Sequence, residues 1–205
     1  MTSKAALIYN ALLADFPESM KPITELSQNT AQGASKFRDF IICHQQAFNF
    51  DSLKNQRPGM KPHKEQTPDA LFLHNDKLYF VEFKEGKNVD KTDVRQKIHE
   101  GLITLYQYCA ARNLVTRQEF VDLRIRYAVI YRQPFGGAPP KTVLTTLQQT
   151  QVYFNLQNIE GLLVEKTMTN FLGDHIFKFL QKVSNGHVKR IAIMDQAQQF
   201  AEFYQ

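Results

Sequence analysis

The sequence predicts a single α/β (α+β) domain, spanning residues 1–205, with a central mixed β-sheet flanked by helices. Two short apolar segments joined by a turn are followed by a long helical pattern and then by one more strand-like segment. This order of hairpin, crossover helix and returning strand is typical of a mixed sheet with helices on its faces. The chain has 205 residues, of which 43% are hydrophobic and 12% aromatic, so it can bury a sizeable core.

The N-terminal part of the chain is predicted to be helical. Apolar residues recur at helical spacing over residues 4–16, and a second helix is expected over residues 30–48. We interpret residues 1–28 as a helical N-terminal extension. Residues 49–66 are polar and contain two prolines and a glycine, so an exposed loop is expected there.

A β-hairpin is predicted next. Residues 69–73 and 77–84 are rich in apolar and aromatic side chains, which favour strands. Asn75 and Asp76 lie between these runs, and both residue types tolerate the left-handed backbone that tight turns require.

The expected register of this hairpin brings three charged side chains together. With a turn of two or of four residues, Asp69 lies directly opposite Glu82, and opposed side chains have Cβ atoms about 4.5–5.5 Å apart. Lys84 points to the same face because side chains alternate along a strand. Two facing carboxylates repel each other unless a cation is present. Mg²⁺ prefers such oxygen ligands, so we expect Mg²⁺ here, with Mn²⁺ as a substitute.

Beyond the hairpin, a long helix is predicted over residues 92–113 and a strand over residues 123–131. Residues 133–141 contain two glycines and three prolines, which favour a loop. Residues 141–205 are interpreted as a C-terminal elaboration. The elements expected within it are helices over 143–149 and 170–183, a strand over 161–164 and a short helix within 188–204.

The hairpin residues also form a recognisable motif. Pro68-Asp69, twelve intervening residues and then Glu82-Phe83-Lys84 resemble the signature of the PD-(D/E)XK nuclease superfamily. This superfamily includes restriction endonucleases, Holliday-junction resolvases and RecB-like nucleases. The resemblance is good over residues 68–84 and loose over about 30–132. It implies a restriction endonuclease-like core and metal-dependent hydrolysis of phosphodiester bonds, with DNA favoured over RNA and an endonuclease weakly favoured over an exonuclease.

The resemblance also implies roles for individual residues. Asp69 and Glu82 would bind the metal, and Lys84 would orient or help deprotonate the attacking water. Family members often carry one more acidic residue on a helix before the hairpin. Asp39 is our candidate for this third metal ligand, and Glu25 is the alternative.

A nucleic-acid partner is expected from charge as well as from the resemblance. The net charge is +5 and the pI is about 9.1, which favours polyanionic partners. Many family members place a Gln or Lys on the helix after the hairpin. The predicted nucleic-acid-binding residues are Lys87, Lys91, Arg95, Gln96 and Lys97. The basic surface could extend to Arg124, Arg126 and Arg132.

Two other function classes stay open at this point. The first is a catalytically inactive nucleic-acid-binding module of the same fold, and the second is a protein-interaction or effector domain with a fortuitous motif. No stretch approaches ~18 apolar residues, so no membrane span is expected. Cys43 and Cys109 are expected to be free thiols, which fits a cytoplasmic location. A homodimer is compatible with a nuclease, because two sites are needed to cut a duplex symmetrically.

Overall fold

The computed structural model describes residues 2–28, 39–55, 66–85, 91–132, 156–161, 164–170, 172–194 and 200–205. Within these ranges the chain is an α+β fold with a six-stranded mixed sheet and a separate three-stranded sheet. The predicted fold class, a mixed sheet flanked by helices, is therefore confirmed.

The helices and strands follow one another along the chain in a mixed order. The α-helices are α1 (Lys4–Asp15), α2 (Ile23–Leu26), α3 (Lys91–Ala111), α4 (Arg117–Val121) and α5 (Gly173–Val183). The strands are β1 (Met20–Pro22), β2 (Ile41–Ile42), β3 (Gln46–Asn49), β4 (Ala70–His74), β5 (Lys77–Glu85), β6 (Ile125–Arg132), β7 (Lys166–Asn170), β8 (Arg190–Met194) and β9 (Phe200–Tyr204). Short 3₁₀ helices cover Pro17–Ser19, Phe50–Asn55 and Leu156–Ile159.

The larger sheet changes direction at β5. Its strand order is β1-β3-β4-β5-β6-β7, and neighbouring strands from β1 to β5 run antiparallel. Strands β5, β6 and β7 run parallel to one another. A parallel connection needs a crossover, and the segment that contains α3 links β5 to β6. The predicted helix over 92–113 and strand over 123–131 are both confirmed with small changes at their ends.

The predicted hairpin is also confirmed, and its turn has two residues. Asn75 and Asp76 have φ angles of 47° and 56°, as the left-handed hairpin turn requires. Ala70 pairs with Val81, and His74 pairs with Lys77. The same register, continued by one residue, sets Asp69 opposite Glu82.

Two apolar layers enclose the larger sheet. Helices α1 and α3 cover the face that carries Leu71, Phe80 and Tyr127. Helix α5 and the smaller sheet, β2-β8-β9, cover the face that carries Tyr79 and Val81. Neighbouring residues of β5 thus enter different cores because side chains alternate across a strand. The N-terminal and C-terminal segments both take part, since α1 packs into the first core and β7 closes one edge of the sheet.

Several predicted elements are wrong. Helix was expected over 30–48, but residues 41–42 and 46–49 are strands, while 29–38 lie outside the described residues. A short helix was expected within 188–204, where β8 and β9 form instead.

The remaining C-terminal expectations have mixed outcomes. The predicted helix over 170–183 is confirmed and begins at Gly173. A strand lies at Lys166–Asn170, just after the predicted 161–164, where Val164 makes an isolated bridge to Glu160. The helix predicted over 143–149 lies outside the described residues. Among the described residues, no helix is both long and apolar enough to cross a membrane.

Candidate functional site

The hairpin brings Asp69, Glu82 and Lys84 together on the face of the sheet that α3 covers. Lys84 Nζ lies 3.1 Å from Glu82 Oε1. The backbone N–H of Phe83 donates a hydrogen bond of 2.6 Å to Asp69 Oδ2, which holds this carboxylate at the end of β4. The three residues that the motif singled out therefore form one cluster.

A second lysine enters this cluster from α3. Lys97 Nζ lies 2.7 Å from Glu82 Oε1 and 3.4 Å from Asp69 Oδ1, so its ammonium bridges the two carboxylates. We predicted Lys97 as a nucleic-acid contact, and the structure places it against both acidic residues of the site.

Close packing of α3 against the start of β4 positions Lys97. Gly101 lies one helical turn after Lys97, and a Cβ atom at Gly101 would come within 2.6 Å of the Pro68 ring. The lack of a side chain at Gly101 therefore permits this close approach. The backbone N–H of Gln66 donates a hydrogen bond to the carboxylate of Glu100, which ties the same segment to α3.

The cluster is mostly removed from water. Glu82 is 1% exposed, and the side chains of Asp69 and Lys97 are 20% and 15% exposed. Burial, and next the negative charge of Glu82, raise the pKa of Asp69 above its usual range. Burial lowers the pKa of Lys97, but Asp69 and Glu82 outweigh this effect and leave the pKa raised. The two acids therefore stabilise the charged form of Lys97, whereas Lys97 only partly offsets the effects of burial and Glu82 on Asp69.

Two buried polar atoms of the cluster have no hydrogen-bond partner among the described residues. They are Glu82 Oε2 and the hydroxyl of Tyr127. Burial, followed by the charges of Glu82 and Asp69, raises the pKa of Tyr127. A buried polar group without a partner is costly, and a bound ion or water is a common reason for one.

These features fit a divalent cation. Asp69 and Glu82 would supply oxygen ligands from the two arms of the hairpin, and one Glu82 oxygen has no partner within the described structure. The described part of the chain contains no group of three or more His, Cys, Asp or Glu residues able to hold a metal. Mg²⁺ is commonly held by one or two carboxylates, with water and substrate as its other ligands.

Asp39 is not brought to this pair. Its Oδ1 accepts a hydrogen bond of 2.7 Å from Gln28, and its carbonyl accepts one of 3.3 Å from Arg132. The ring of the next residue, Phe40, packs edge-on against Phe83, on the opposite face of β5 from Glu82. The position of Asp39 therefore does not support its predicted role as a third metal ligand.

Glu25, the alternative third ligand, belongs to α2. The neighbouring Ile23 packs into the core on the opposite face of the sheet from Glu82. This position gives Glu25 no support as a ligand either.

The other predicted nucleic-acid contacts are spread along α3 and the preceding loop. Lys87 lies outside the described residues, and Lys91 begins α3. Arg95 is partly exposed. The exposed Gln96 side chain donates a hydrogen bond of 2.6 Å to Glu100. Of this group, the structure brings Lys97 alone into the cluster through contacts of described residues.

The arginines of β6 do not form one exposed surface. Arg132 is buried, donates a hydrogen bond of 2.8 Å to the carbonyl of Met194 and lies over the ring of Phe40. Arg124 and Arg126 instead pair with Glu165 at the other end of the strand.

Asp51 and Tyr127 are neighbours of the cluster that the sequence did not reveal. The negative charge of Asp51 contributes to the raised pKa of Asp69, after the larger effects of burial and Glu82. The Thr67 hydroxyl donates a hydrogen bond to Asp51 Oδ1. Asp51 reaches the cluster because β3 pairs with β4, and Tyr127 because β6 pairs with β5. The local sequence does not predict the pairing of β3 with β4 or of β6 with β5.

Comparisons with known proteins do not assign the chain to a family. No protein-family model, no curated protein and no solved structure gives a significant match to it.

Proposed function

We propose that this protein is a metal-dependent nuclease of the PD-(D/E)XK type that hydrolyses phosphodiester bonds. Asp69 and Glu82 would hold Mg²⁺, and Lys84 would act beside the attacking water. The observation that carries the proposal is the convergence of the buried Glu82 and the largely buried Asp69 on one ammonium, that of Lys97, with Glu82 Oε2 left without a partner among the described residues. A buried pair of like charges is costly unless it binds a cation.

Each residue of the cluster has its own role in the proposed reaction. Asp69 and Glu82 fix the position of the cation, and the Phe83 N–H holds the Asp69 carboxylate in place. When bound, a divalent cation lowers the pKa of water and neutralises charge on the phosphoryl oxygens. The Lys84 ammonium, partly exposed beside Glu82, would orient the attacking water and stabilise the negative charge that builds on the phosphate.

The charge balance supports phosphate as the substrate group. When both acids are ionised, their charge is matched by the ammonium groups of Lys84 and Lys97, so the cluster is then formally neutral without a metal. A divalent cation would leave it positive, which favours a phosphodiester anion.

The finer parts of the proposal rest on family precedent and composition. DNA and endonuclease action follow the resembled superfamily, and the net charge of +5 suits a polyanion. A homodimer would suit cleavage of both strands. A cytoplasmic location suits the two buried free cysteines.

One observation favours a second candidate, a nucleic-acid-binding module without turnover. The Lys97 ammonium already bridges the two carboxylates, so the pair is compensated without a metal. In that case the basic residues would bind nucleic acid while the cluster served only to stabilise the fold.

Cleavage assays test the proposal. Supercoiled plasmid, linear duplex, single-stranded DNA and RNA would be incubated with wild type and Glu82→Ala in Mg²⁺, Mn²⁺ or EDTA. Glu165→Ala is the matched control, because it removes a carboxylate at the other end of the same sheet. We expect metal-dependent cleavage that Glu82→Ala reduces by more than about 100-fold, the upper range for loss of a group one step removed from a metal.

The possible outcomes separate the candidates. Loss of cleavage in Glu82→Ala with retention in Glu165→Ala supports the proposed site. Salt-dependent binding of nucleic acid without cleavage supports the binding module. Cleavage that persists in Glu82→Ala overturns the assignment of this site.

A further inference from the structure

We infer that Lys97 is an internal cation that holds Asp69 and Glu82 together in the metal-free protein and is displaced when a metal ion binds. The inference rests on the proposed function, because it requires a divalent cation at this carboxylate pair. It makes Lys97 a positioning residue whose ammonium and the metal ion exclude each other.

The ammonium of Lys97 lies beside both acidic side chains, where a metal ion held by both of them would lie. It is 2.7 Å from Glu82 Oε1 and 3.4 Å from Asp69 Oδ1, oxygens that belong to residues on facing sides of the hairpin. Lys84, by contrast, pairs with Glu82 at 3.1 Å, and among the contacts of described residues Lys97 is the group that joins both acids.

A second observation at the same place points to a ligand. Glu82 is 1% exposed, and its Oε2 has no hydrogen-bond partner among the described residues. One ammonium carries a single charge and leaves this oxygen unsatisfied. A dication carries the charge of both carboxylates and takes several oxygen ligands, so it matches the pair better than the lysine does.

Exchange of the Lys97 ammonium for a metal ion would move the lysine side chain and leave α3 in place. The contact of Gly101 with the Pro68 ring and the hydrogen bond from Gln66 to Glu100 fix α3 against the start of β4. The lysine stem is long and flexible. Asp93 lies four residues before Lys97, a spacing at which opposite charges on a helix are neighbours, so it offers the displaced ammonium a carboxylate.

Lysine acetylation of the wild-type protein tests the exchange directly. Full-length protein would be treated with an acetylating reagent in EDTA or in Mn²⁺, and each lysine would be quantified by mass spectrometry. Lys77 is the matched control, because its side chain is 13% exposed against 15% for Lys97 and it is also ion-paired, with Glu165. We expect Mn²⁺ to accelerate acetylation of Lys97 several-fold and to leave Lys77 unchanged.

Calorimetric titration with Mn²⁺ gives an independent measurement. We expect Lys97→Met to bind Mn²⁺ roughly tenfold more tightly than Arg95→Met, because the lysine-bound form no longer competes with the metal. Arg95→Met removes the same charge from the same helix, so it controls for a general electrostatic effect. If Lys97→Met does not fold, the acetylation of wild type decides the question.

The outcomes distinguish this inference from the proposed function. Mn²⁺ binding with unchanged Lys97 acetylation, or with equal affinities in the two variants, overturns the exchange and leaves the metal site standing. No Mn²⁺ binding by wild type or by Lys97→Met overturns both. Binding by Lys97→Met alone shows that the lysine blocks the metal position, and it overturns both the exchange and a metal-dependent function of the wild-type chain.

Discussion

The two ends of strand β5 both carry a cluster of opposite charges, yet the clusters differ in burial. At one end Glu82, which is 1% exposed, contacts Lys97 and faces a second carboxylate, Asp69. At the other end Glu165, which is 32% exposed, accepts hydrogen bonds from arginines that include Arg124 and Arg126. One cluster thus forces two like charges together away from water, and the other surrounds a single acid with cations at the surface.

This difference in burial indicates which clusters of charged residues are candidates for a functional site. Exposed ion pairs contribute little to stability, and a protein surface carries many of them. A pair of carboxylates mostly removed from water is unfavourable unless cations compensate it, so such a pair is a stronger indication of a functional site than exposed ion pairs are. Burial and like charge, more than the number of contacts, therefore single out the Glu82 end.

The largest expected difference between the two ends is in stability. In EDTA, Lys97→Met should lower the free energy of unfolding by about 3–5 kcal/mol, because it leaves the buried Glu82 and the largely buried Asp69 without the cation that bridges them. Arg124→Met at the exposed end should lower it by less than about 1 kcal/mol. Urea unfolding followed by circular dichroism measures both. Equal losses would show that burial does not separate the clusters.

Two glycine variants test whether the placement of α3 belongs to the site. Gly101→Ala should reduce the free energy of unfolding by about 1 kcal/mol, since overpacking against Pro68 outweighs the gain in helix propensity. Pro68 directly precedes the proposed ligand Asp69, so the same overpacking should displace the Asp69 carboxylate and weaken Mn²⁺ binding about tenfold. A wild-type affinity in Gly101→Ala would show that the packing of α3 against Pro68 does not position Asp69.

Gly173→Ala is the control for this experiment. A Cβ atom at Gly173 would overlap the Phe203 ring, between α5 and the smaller sheet. We expect Gly173→Ala to lower stability without changing the Mn²⁺ affinity, because this contact lies in the core on the opposite face of the sheet from Glu82.

The smallest expected effect is on the pH dependence of stability, which should have opposite signs at the two ends. The pKa of Asp69 is raised, first by burial and then by Glu82. From about pH 4 upwards the unfolded chain loses a proton that folded Asp69 keeps, so this contribution falls as the pH rises. The hydrogen bond from Arg126 is the main cause that lowers the pKa of Glu165 to about 2. Its contribution is present above about pH 4 and is lost as the pH falls toward 2.

Urea unfolding between pH 3 and 8 in EDTA checks these signs. Asp69→Asn should lose less stability than wild type as the pH rises, and Glu165→Gln should lose less than wild type as the pH falls. If both variants changed the pH dependence of stability in the same direction, the environments assigned to Asp69 and Glu165 would be wrong.

Local sequence patterns were enough to predict the central elements of the fold, which are the hairpin, α3 and β6. The hairpin and its register follow from the turn residues and the apolar runs, and α3 and β6 follow from their periodicity. A helix is predicted over 30–48 because the apolar spacing there is compatible with one, but 41–42 and 46–49 are strands. Their actual partners, β8 and β4, are remote in sequence, and no local pattern reports such pairing.

The candidate site was also predictable only where its residues are close together in the sequence. Asp69, Glu82 and Lys84 could be placed together because they belong to one hairpin. The contact of Lys97 with both acids depends on the close approach of Gly101 to Pro68, which no periodicity reveals. The contacts of Asp39 with Gln28 and Arg132 are likewise set by tertiary packing, which the local sequence does not report.

The two-residue turn of the hairpin also limits how the chain can change in length. Asp69 lies six residues before Asn75, and Glu82 lies six residues after Asp76. An insertion at the tip would lengthen the loop and preserve this symmetry. A single insertion within either strand would slip the register and turn that carboxylate to the opposite face. Descendants of this sequence should therefore tolerate insertions at the tip and lose the carboxylate pair through odd-numbered insertions in the arms.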